Sequence, residues 1–149
     1  MASDDVSRRV LASVVDALRT HAVVHGLKPQ PRRIIVCGGR GYTDRQRIRE
    51  VLDEYMPPAP FDEPTIVHGA ARGADLTAAD VALREGFWVE AHPARWKRDG
   101  KAAGPLRNEE MARLGADLCI AFPGGAGTED MIRRCINHGI PVRRVGDRD

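Results

Sequence analysis

The sequence predicts an α/β fold, a doubly wound parallel sheet of about five strands with one extra N-terminal helix. From Arg33 onward, short apolar segments alternate with amphipathic helical patterns, which is typical of strands joined by crossover helices. The apolar segments show little polar alternation, as expected for strands covered on both faces. Glycine-rich loops follow most of the strands, and ligands of such sheets bind beyond the carboxyl ends of the strands.

The first element is a helix over residues 4–25, predicted by an apolar stripe at helical spacing. The stripe consists of Val6, Val10, Leu11, Val14, Val15, Leu18 and Ala22. Gly26 and the prolines that follow end this helix. We therefore expect an N-terminal helical arm over residues 1–31 and a sheet domain over residues 32–149.

The remaining elements alternate along the sheet domain. Strands are predicted over 34–37, 65–67, 87–90, 118–122 and 142–145, and helices over 44–56, 75–85, 106–115 and 128–138. Thr43 and Gln46 match a capping box for the first of these helices. Gly86, Gly115 and Gly139 lie where the later helices should end.

Composition limits the class of protein. With 149 residues and a net charge of +2, the chain fits one domain and lacks the strong basic excess of a dedicated nucleic-acid-binding protein. Its three cysteines follow no metal-ligand spacing, so we expect no metal, no cofactor and a reducing, cytoplasmic setting. No apolar run approaches the roughly 20 residues of a membrane span.

The first glycine-rich loop, CGGRGYTD over residues 37–44, indicates close approach of the backbone to a ligand. Gly38 and Gly39 would allow that approach. The loop lacks the third glycine of G-x-G-x-x-G and the G-K-[ST] of a Walker loop, which disfavours ordinary dinucleotide or triphosphate binding. Arg40 is interpreted either as a phosphate ligand or as a solvated surface arginine.

The second loop, HGAARGAD over residues 68–75, has two glycines that permit tight turns, Gly69 and Gly73. Arg72 is its functional candidate, as a guanidinium near the same cleft. Asp75 is interpreted as the cap of the following helix, and His68 as a hydrogen-bonded structural residue.

The third stretch, residues 92–111, contains Trp96 among basic neighbours in a long loop. It is interpreted either as a mobile lid on which bases stack or as a solvated loop with one aromatic ring against the core. Arg107 and Asn108 are expected to open the next helix, where a cation is poorly matched to the helix dipole. This mismatch indicates that Arg107 meets an anionic ligand.

The fourth loop, AFPGGAGTEDM over residues 121–131, is the most informative segment of the chain. Gly124, Gly125 and Gly127 follow Pro123, and a helix is predicted to begin at Thr128. Glycines beside the positive end of a helix form a phosphate or anion site. An ordinary strand-to-helix turn would account for one glycine but not for three.

Two acidic residues, Glu129 and Asp130, are predicted in the first turn of this helix. Acids are stabilised there by the helix dipole alone. A carboxylate beside a phosphate loop would also be placed to bind a ribose hydroxyl or to act as a base.

Taken together, these motifs resemble the SLOG superfamily, over about residues 33–145, and most closely its YspA-like or cpYpsA-related branch. The superfamily includes the LOG phosphoribohydrolases and the DNA-processing protein of natural transformation. The resemblance implies a Rossmann-like fold, a nucleotide-related ligand held by the glycine loops, and homodimers.

The resemblance to the LOG enzymes is incomplete at one position. Their pattern is P-G-G-x-G-T-x-x-E with an upstream R-x-x-x-M, which Arg107 and Met111 match. The position of their glutamate is occupied here by Met131, and a thioether cannot act as a carboxylate does. Enzymatic activity is therefore left open by the sequence.

The leading hypothesis is a module that binds a nucleotide or a nucleotide-derived molecule. The alternative is a phosphoribohydrolase that cleaves the N-glycosidic bond of nucleoside 5′-monophosphates, with Arg107 and Asp130 as catalytic residues. Binding of single-stranded nucleic acid ranks third. The expected ligand-binding residues are Gly38, Gly39, Arg40, Gly69, Arg72, Gly73, Asn108, Pro123, Gly124, Gly125, Gly127, Thr128 and Glu129.

Overall fold

The structure, a computed structural model, describes residues 2–24, 30–57 and 63–146. The chain divides into two compact units. One contains the helix α1 (Ala2–Val24). The expected boundary near residue 31 follows residues 25–29, which lie outside the described part of the chain.

The second unit is a sheet domain whose five strands are all parallel, in the order β3-β2-β1-β4-β5. The strands are β1 (Arg33–Cys37), β2 (Thr65–His68), β3 (Trp88–Ala91), β4 (Leu118–Ala121) and β5 (Val142–Arg144). The helices are α2 (Arg45–Asp53), α3 (Ala74–Glu85), α4 (Trp96–Asp99), α5 (Ala103–Leu114) and α6 (Ala126–Asn137). The predicted Rossmann-like α/β fold is confirmed.

Both faces of the sheet are covered. Ile34 and Val36 point to one face, where they pack with α2 and α3, and Ile35 and Cys37 point to the other, where they pack with α5 and α6. This alternation follows from the two-residue period of a strand. Because both sets are apolar, β1 lacks polar alternation, as the sequence indicates.

Three predicted helix starts are wrong. Asp44, not Thr43, caps α2, since its Oδ1 accepts a hydrogen bond from the N–H of Arg47 at 3.0 Å. The N-cap of α3 is Gly73, and Asp75 lies within the helix. The helix expected at Thr128 begins at Ala126.

The predicted long loop before Arg107 is also wrong, because most of it is helical. The helix α4 is followed by a 3-10 turn, Gly100–Ala102, and then by α5. Arg107 consequently lies in the second turn of its helix, so the dipole mismatch that singled it out is weaker than the sequence indicated.

None of the described helices combines the length and the apolar character that a membrane span requires.

Candidate functional site

A cavity lies where the strand order reverses. From β1 the chain crosses to β2 on one side of this point, and from β4 it crosses to β5 on the other side. The loops that follow β1 and β4 therefore border a crevice at the edge of the sheet. Between them is a cavity of about 710 Å³, here called the main cavity. Its walls include Gly38 and Arg40 after β1, and Gly125 and Gly127 before and in α6. Its size lies within the usual range of small-molecule sites.

The N-terminus of α6 opens into the main cavity without a side-chain cap. Its N-cap residue is Gly125, which has no side chain to accept a hydrogen bond from the first turn. Ala126, Gly127 and Thr128 follow and also line the cavity. The first N–H groups of a helix have no partner within the helix, and they carry its positive dipole end. An anion in the cavity would satisfy them.

Two of the loop glycines are required by packing. A Cβ atom at Gly124 would meet the Oγ1 of Thr128 and would lie 2.6 Å from the backbone nitrogen of Gly39. A Cβ atom at Gly39 would lie 3.0 Å from the carbonyl oxygen of Pro123, which also accepts a 2.8 Å hydrogen bond from the N–H of Gly39. The first and fourth loops are therefore in close backbone contact beside the main cavity.

Two other glycines are not required by packing. A Cβ atom at Gly125 or at Gly127 would meet no heavy atom within 4 Å. Both residues nevertheless line the main cavity. Glycine in a helix is less stable than alanine by roughly 1 kcal/mol, so the fold alone gives no reason for Gly127. Their effect is to leave the space in front of α6 open.

Arg107 is half-buried and has no carboxylate partner among the described residues. Its guanidinium donates to the carbonyl oxygens of Gly69 and, at 3.5 Å, of His92, and its Nε donates to Oδ1 of Asn108 at 2.9 Å. Burial lowers the pKa of Arg107 below its usual range, the charge of Asp75 opposes this, and Arg40 adds to it. A fixed, partly desolvated cation on the cavity wall is suited to an anionic ligand.

Asp130 is engaged by several cationic and polar groups. Its carboxylate accepts hydrogen bonds from Asn108 at 3.0 Å, Arg133 at 2.6 Å and Arg134 at 2.9 Å. Burial acts to raise the pKa of Asp130, but the hydrogen bonds from Arg134 and Asn108 leave it below its ordinary value. The carboxylate is therefore held ionised and oriented, which suits a group that positions Asn108 and Arg133.

A second, adjoining cavity of about 520 Å³ lies over the loop that follows β2. Gly69 and Arg72 line this outer cavity, and the main and outer cavities share Arg40, Trp96 and Arg107. The guanidinium of Arg40 lies 5.7 Å from the centre of the Trp96 ring, within the range of a cation–π contact.

Asp75 organises the loop between β2 and α3. Its Oδ2 accepts hydrogen bonds from the N–H groups of Gly69, at 3.0 Å, and Ala71, at 3.4 Å. Ala70 between them has a left-handed φ of 57°, and its N–H donates to Nδ1 of His68 at 3.0 Å. The carboxylate thus supports a strained turn at the edge of the outer cavity, a role that the sequence interpretation missed.

The raised pKa of Asp75 predicts that the stability of the protein depends on pH. Burial raises its pKa from 3.8 to about 6, against the opposing effects of its backbone hydrogen bonds and Arg107. Since the folded-state pKa is the higher one, its contribution to stability is largest below pH 4 and is lost as the pH rises through about 6. A pKa difference of two units between the folded and unfolded states corresponds to roughly 3 kcal/mol of unfolding free energy.

Asp75→Asn should remove this dependence, because an amide oxygen can accept the same two hydrogen bonds without ionising. Urea unfolding of both proteins at pH 4 and pH 7 provides the measurement. Between pH 4 and pH 7, we expect the free energy of unfolding of the variant to rise by about 2–3 kcal/mol relative to that of the unmodified protein. Parallel pH profiles would show that Asp75 is not the responsible group.

The structure thus gathers most of the predicted site residues. Gly38, Gly39, Arg40, Arg107, Asn108, Gly125, Gly127, Thr128 and Asp130 line the main cavity, and Gly69 and Arg72 line the outer one. Gly73, Pro123, Gly124 and Glu129 line neither. Gly73, Pro123 and Gly124 hold the loops together, whereas Glu129 forms a two-pronged ion pair with Arg144.

Several cavity residues were not predicted as ligand-binding. Cys37 ends β1, Gly104 and Pro105 begin α5, and Arg133 follows one turn after the α6 loop. Cys37 is buried. Arg133 gave no signal in the sequence because its approach depends on how α6 is oriented. Met131, at the position of the LOG glutamate, is 1% exposed and packs in the core while lining the cavity floor.

Comparison with known proteins gives two matches. A family model described as the YspA, cpYpsA-related SLOG family matches residues 32–98. The chain is also 43% identical over 124 residues to the Gene 61 protein of Mycobacterium phage D29, an alignment that covers 78% of this chain and 98% of that protein. No solved structure matches the chain at a significant level.

Proposed function

The chain belongs to the YspA, cpYpsA-related SLOG family, and from this premise we propose that it binds a nucleotide or a nucleotide-derived molecule in the main cavity. The main support for the proposal is that Gly125 and Gly127 line the main cavity and leave the space in front of α6 free of side chains. These glycines expose an uncapped helix terminus to a cavity that a half-buried guanidinium also lines. All three features favour a bound phosphate.

In this proposal the phosphate lies against the first turn of α6. The N–H groups of Ala126, Gly127 and Thr128 would donate to its oxygens. Arg107 would supply a charge-assisted hydrogen bond from the opposite wall. Asn108 donates to Asp130 at 3.0 Å and lies 3.4 Å from the carbonyl oxygen of Gly127, so it ties the Arg107 wall to the α6 wall.

Two observations favour binding over hydrolysis of the glycosidic bond. Met131 presents a thioether at the position where the LOG enzymes have a carboxylate. Asp130, the nearest acid on α6, is committed to Asn108, Arg133 and Arg134 and is held ionised. An acid that protonates a leaving group needs the opposite adjustment, a raised pKa.

Incubation with nucleotides followed by chromatography and mass spectrometry tests the proposal. The protein is mixed with nucleoside 5′-monophosphates and nucleoside diphosphate sugars, and the free and retained fractions are analysed separately. We expect one class of compound to be retained intact. Appearance of free base with ribose 5-phosphate, abolished in Asp130→Asn, would instead establish the phosphoribohydrolase.

Gly127→Ala should separate binding from stability. The added methyl group meets no protein atom within 4 Å, and alanine is the better helix former, so stability should be unchanged or higher by up to about 1 kcal/mol. Binding should weaken about fivefold or more, since crowding by a methyl group costs about 1–3 kcal/mol. Thermal unfolding and calorimetric titration provide the two measurements.

Gly41→Ala is the matched control. A Cβ atom at Gly41 also meets nothing within 4 Å, but Gly41 lines neither cavity. Its affinity should equal that of the unmodified protein. If Gly127→Ala binds as tightly as Gly41→Ala, the ligand does not lie against α6.

A further inference from the structure

The main and outer cavities adjoin each other. Arg40, Ala71, Trp96 and Arg107 line both, so a ligand that touches these residues in the main cavity is also beside the outer one. A mononucleotide held at α6 would leave the outer cavity free.

The charges around the outer cavity are unbalanced. Among the described residues, Arg40, Arg72 and Arg107 all line it, and none of them forms an ion pair with a carboxylate. Many arginines elsewhere on the sheet domain are paired with carboxylates, including Arg33 with Glu90, Arg49 with Glu85, Arg143 with Glu54 and Arg144 with Glu129. Three guanidiniums without acidic partners, gathered on one wall, favour a second anionic group.

Three backbone N–H groups at the outer cavity are already engaged within the protein. The N–H groups of Gly69 and Ala71 donate to Asp75, and that of Ala70 donates to His68. The arginine side chains are therefore the main candidate donors to an anion in this cavity. Arg72 is the one among them that lines the outer cavity alone.

Trp96 provides a flat wall where the two cavities meet. Its ring is 49% exposed and rests beside Gly104, where a Cβ atom would lie 3.5 Å from the ring. The indole therefore lies against α5, with about half of the residue still exposed. An aromatic face beside arginines is suited to a nucleobase.

We propose that the ligand is a nucleoside diphosphate or a derivative of one, and that its two phosphoryl groups occupy the two cavities. One phosphoryl group lies at the N-terminus of α6, the other lies between Arg107 and Arg72, and the base contacts Trp96. This inference rests on the proposed nucleotide function and narrows its ligand class.

Calorimetric titration with two matched sets of compounds tests the inference. One set is the four nucleoside 5′-monophosphates, and the other is the corresponding nucleoside diphosphate glucoses. For the base that binds best, we expect the diphosphate glucose to bind at least about tenfold more tightly than the monophosphate, because it gains a charge-assisted hydrogen bond.

Arg72→Ala should remove that advantage, so it should weaken binding of the diphosphate glucose about tenfold more than binding of the monophosphate. Arg113→Ala, which removes an exposed arginine that lines neither cavity, should leave both affinities unchanged. Thermal unfolding of the Arg72 variant should match that of the unmodified protein, since Arg72 is exposed.

Three results would overturn the inference. If both compounds bind equally, or if Arg72→Ala weakens both equally, the outer cavity does not receive a second group, whereas nucleotide binding in the main cavity still holds. If no compound of either set binds, the proposed function fails together with the inference.

Discussion

Arg107→Ala should weaken nucleotide binding by about 1.5–3 kcal/mol, or roughly 10- to 150-fold in the dissociation constant, as expected for the loss of a hydrogen bond to a charged group. Arg107 is half-buried, lines both cavities and has no carboxylate partner among the described residues. Its charge is consequently available to a ligand. Calorimetric titration measures the change directly.

A structural contribution of Arg107 has to be separated from this effect, because its guanidinium also donates to Gly69 and His92. Arg107→Lys retains the charge but loses the planar fork of donors, so it should bind with intermediate affinity. Thermal unfolding of both variants monitors the fold. Unchanged affinity in a folded Arg107→Ala protein would remove this residue from the site.

Gly73→Ala should lower the free energy of unfolding by about 2–5 kcal/mol. Gly73 has a φ of 77°, and a Cβ atom there would collide with the carbonyl oxygens of Gly39 and Arg40. Left-handed backbone costs a non-glycine residue roughly 1–2 kcal/mol, and overpacking adds roughly 1–3 kcal/mol. Because the collision is with the first loop, ligand binding should be lost as well.

Gly139→Ala is a comparison variant with a positive φ but no close contact. Gly139 has a similar φ of 75°, but a Cβ atom there meets nothing within 4 Å. The Gly139→Ala substitution should lower the free energy of unfolding only by the backbone strain, about 1–2 kcal/mol. Urea unfolding compares the two variants, and equal losses would show that the close contact between the first and second loops does not contribute.

The sheet could be predicted from the sequence because its signals are local. The three central strands, β1, β2 and β4, contain short apolar runs. Gly86, with its φ of 94°, ends α3 as the sequence indicates. The position of the main cavity is also predictable, since loops at the carboxyl ends of parallel strands meet at one edge. The glycine pattern of 124–127 was sufficient to identify the loop that borders the main cavity.

The start of α5 could not be predicted because its first residues are poor helix formers. Gly104 and Pro105 disfavour the interior of a helix, but α5 begins at Ala103 and places both in the first turn, where proline needs no N–H partner. Trp96 packs beside Gly104 and adds a tertiary contact that no local pattern reveals.

The roles of the acidic residues depended on partners that are distant in sequence. Glu129 pairs with Arg144 on β5, and Asp130 contacts Asn108 on α5. Asp75 turned back to the loop before its helix and did not cap it. A sequence pattern places such carboxylates on a helix turn, but it does not show which cation or N–H group each one meets.

In the proposed complex, a nucleotide phosphate lies against the N-terminus of α6. Nuclear magnetic resonance of the glycine amides tests this position most directly. The protein contains 15 glycines, which can be labelled selectively with nitrogen-15. On titration with a nucleotide, we expect the amide signals of Gly125 and Gly127 to shift strongly, while those of Gly115 and Gly139, which line neither cavity, stay in place. Binding that leaves Gly125 and Gly127 unmoved, or no response to any nucleotide at millimolar concentration, would contradict the account.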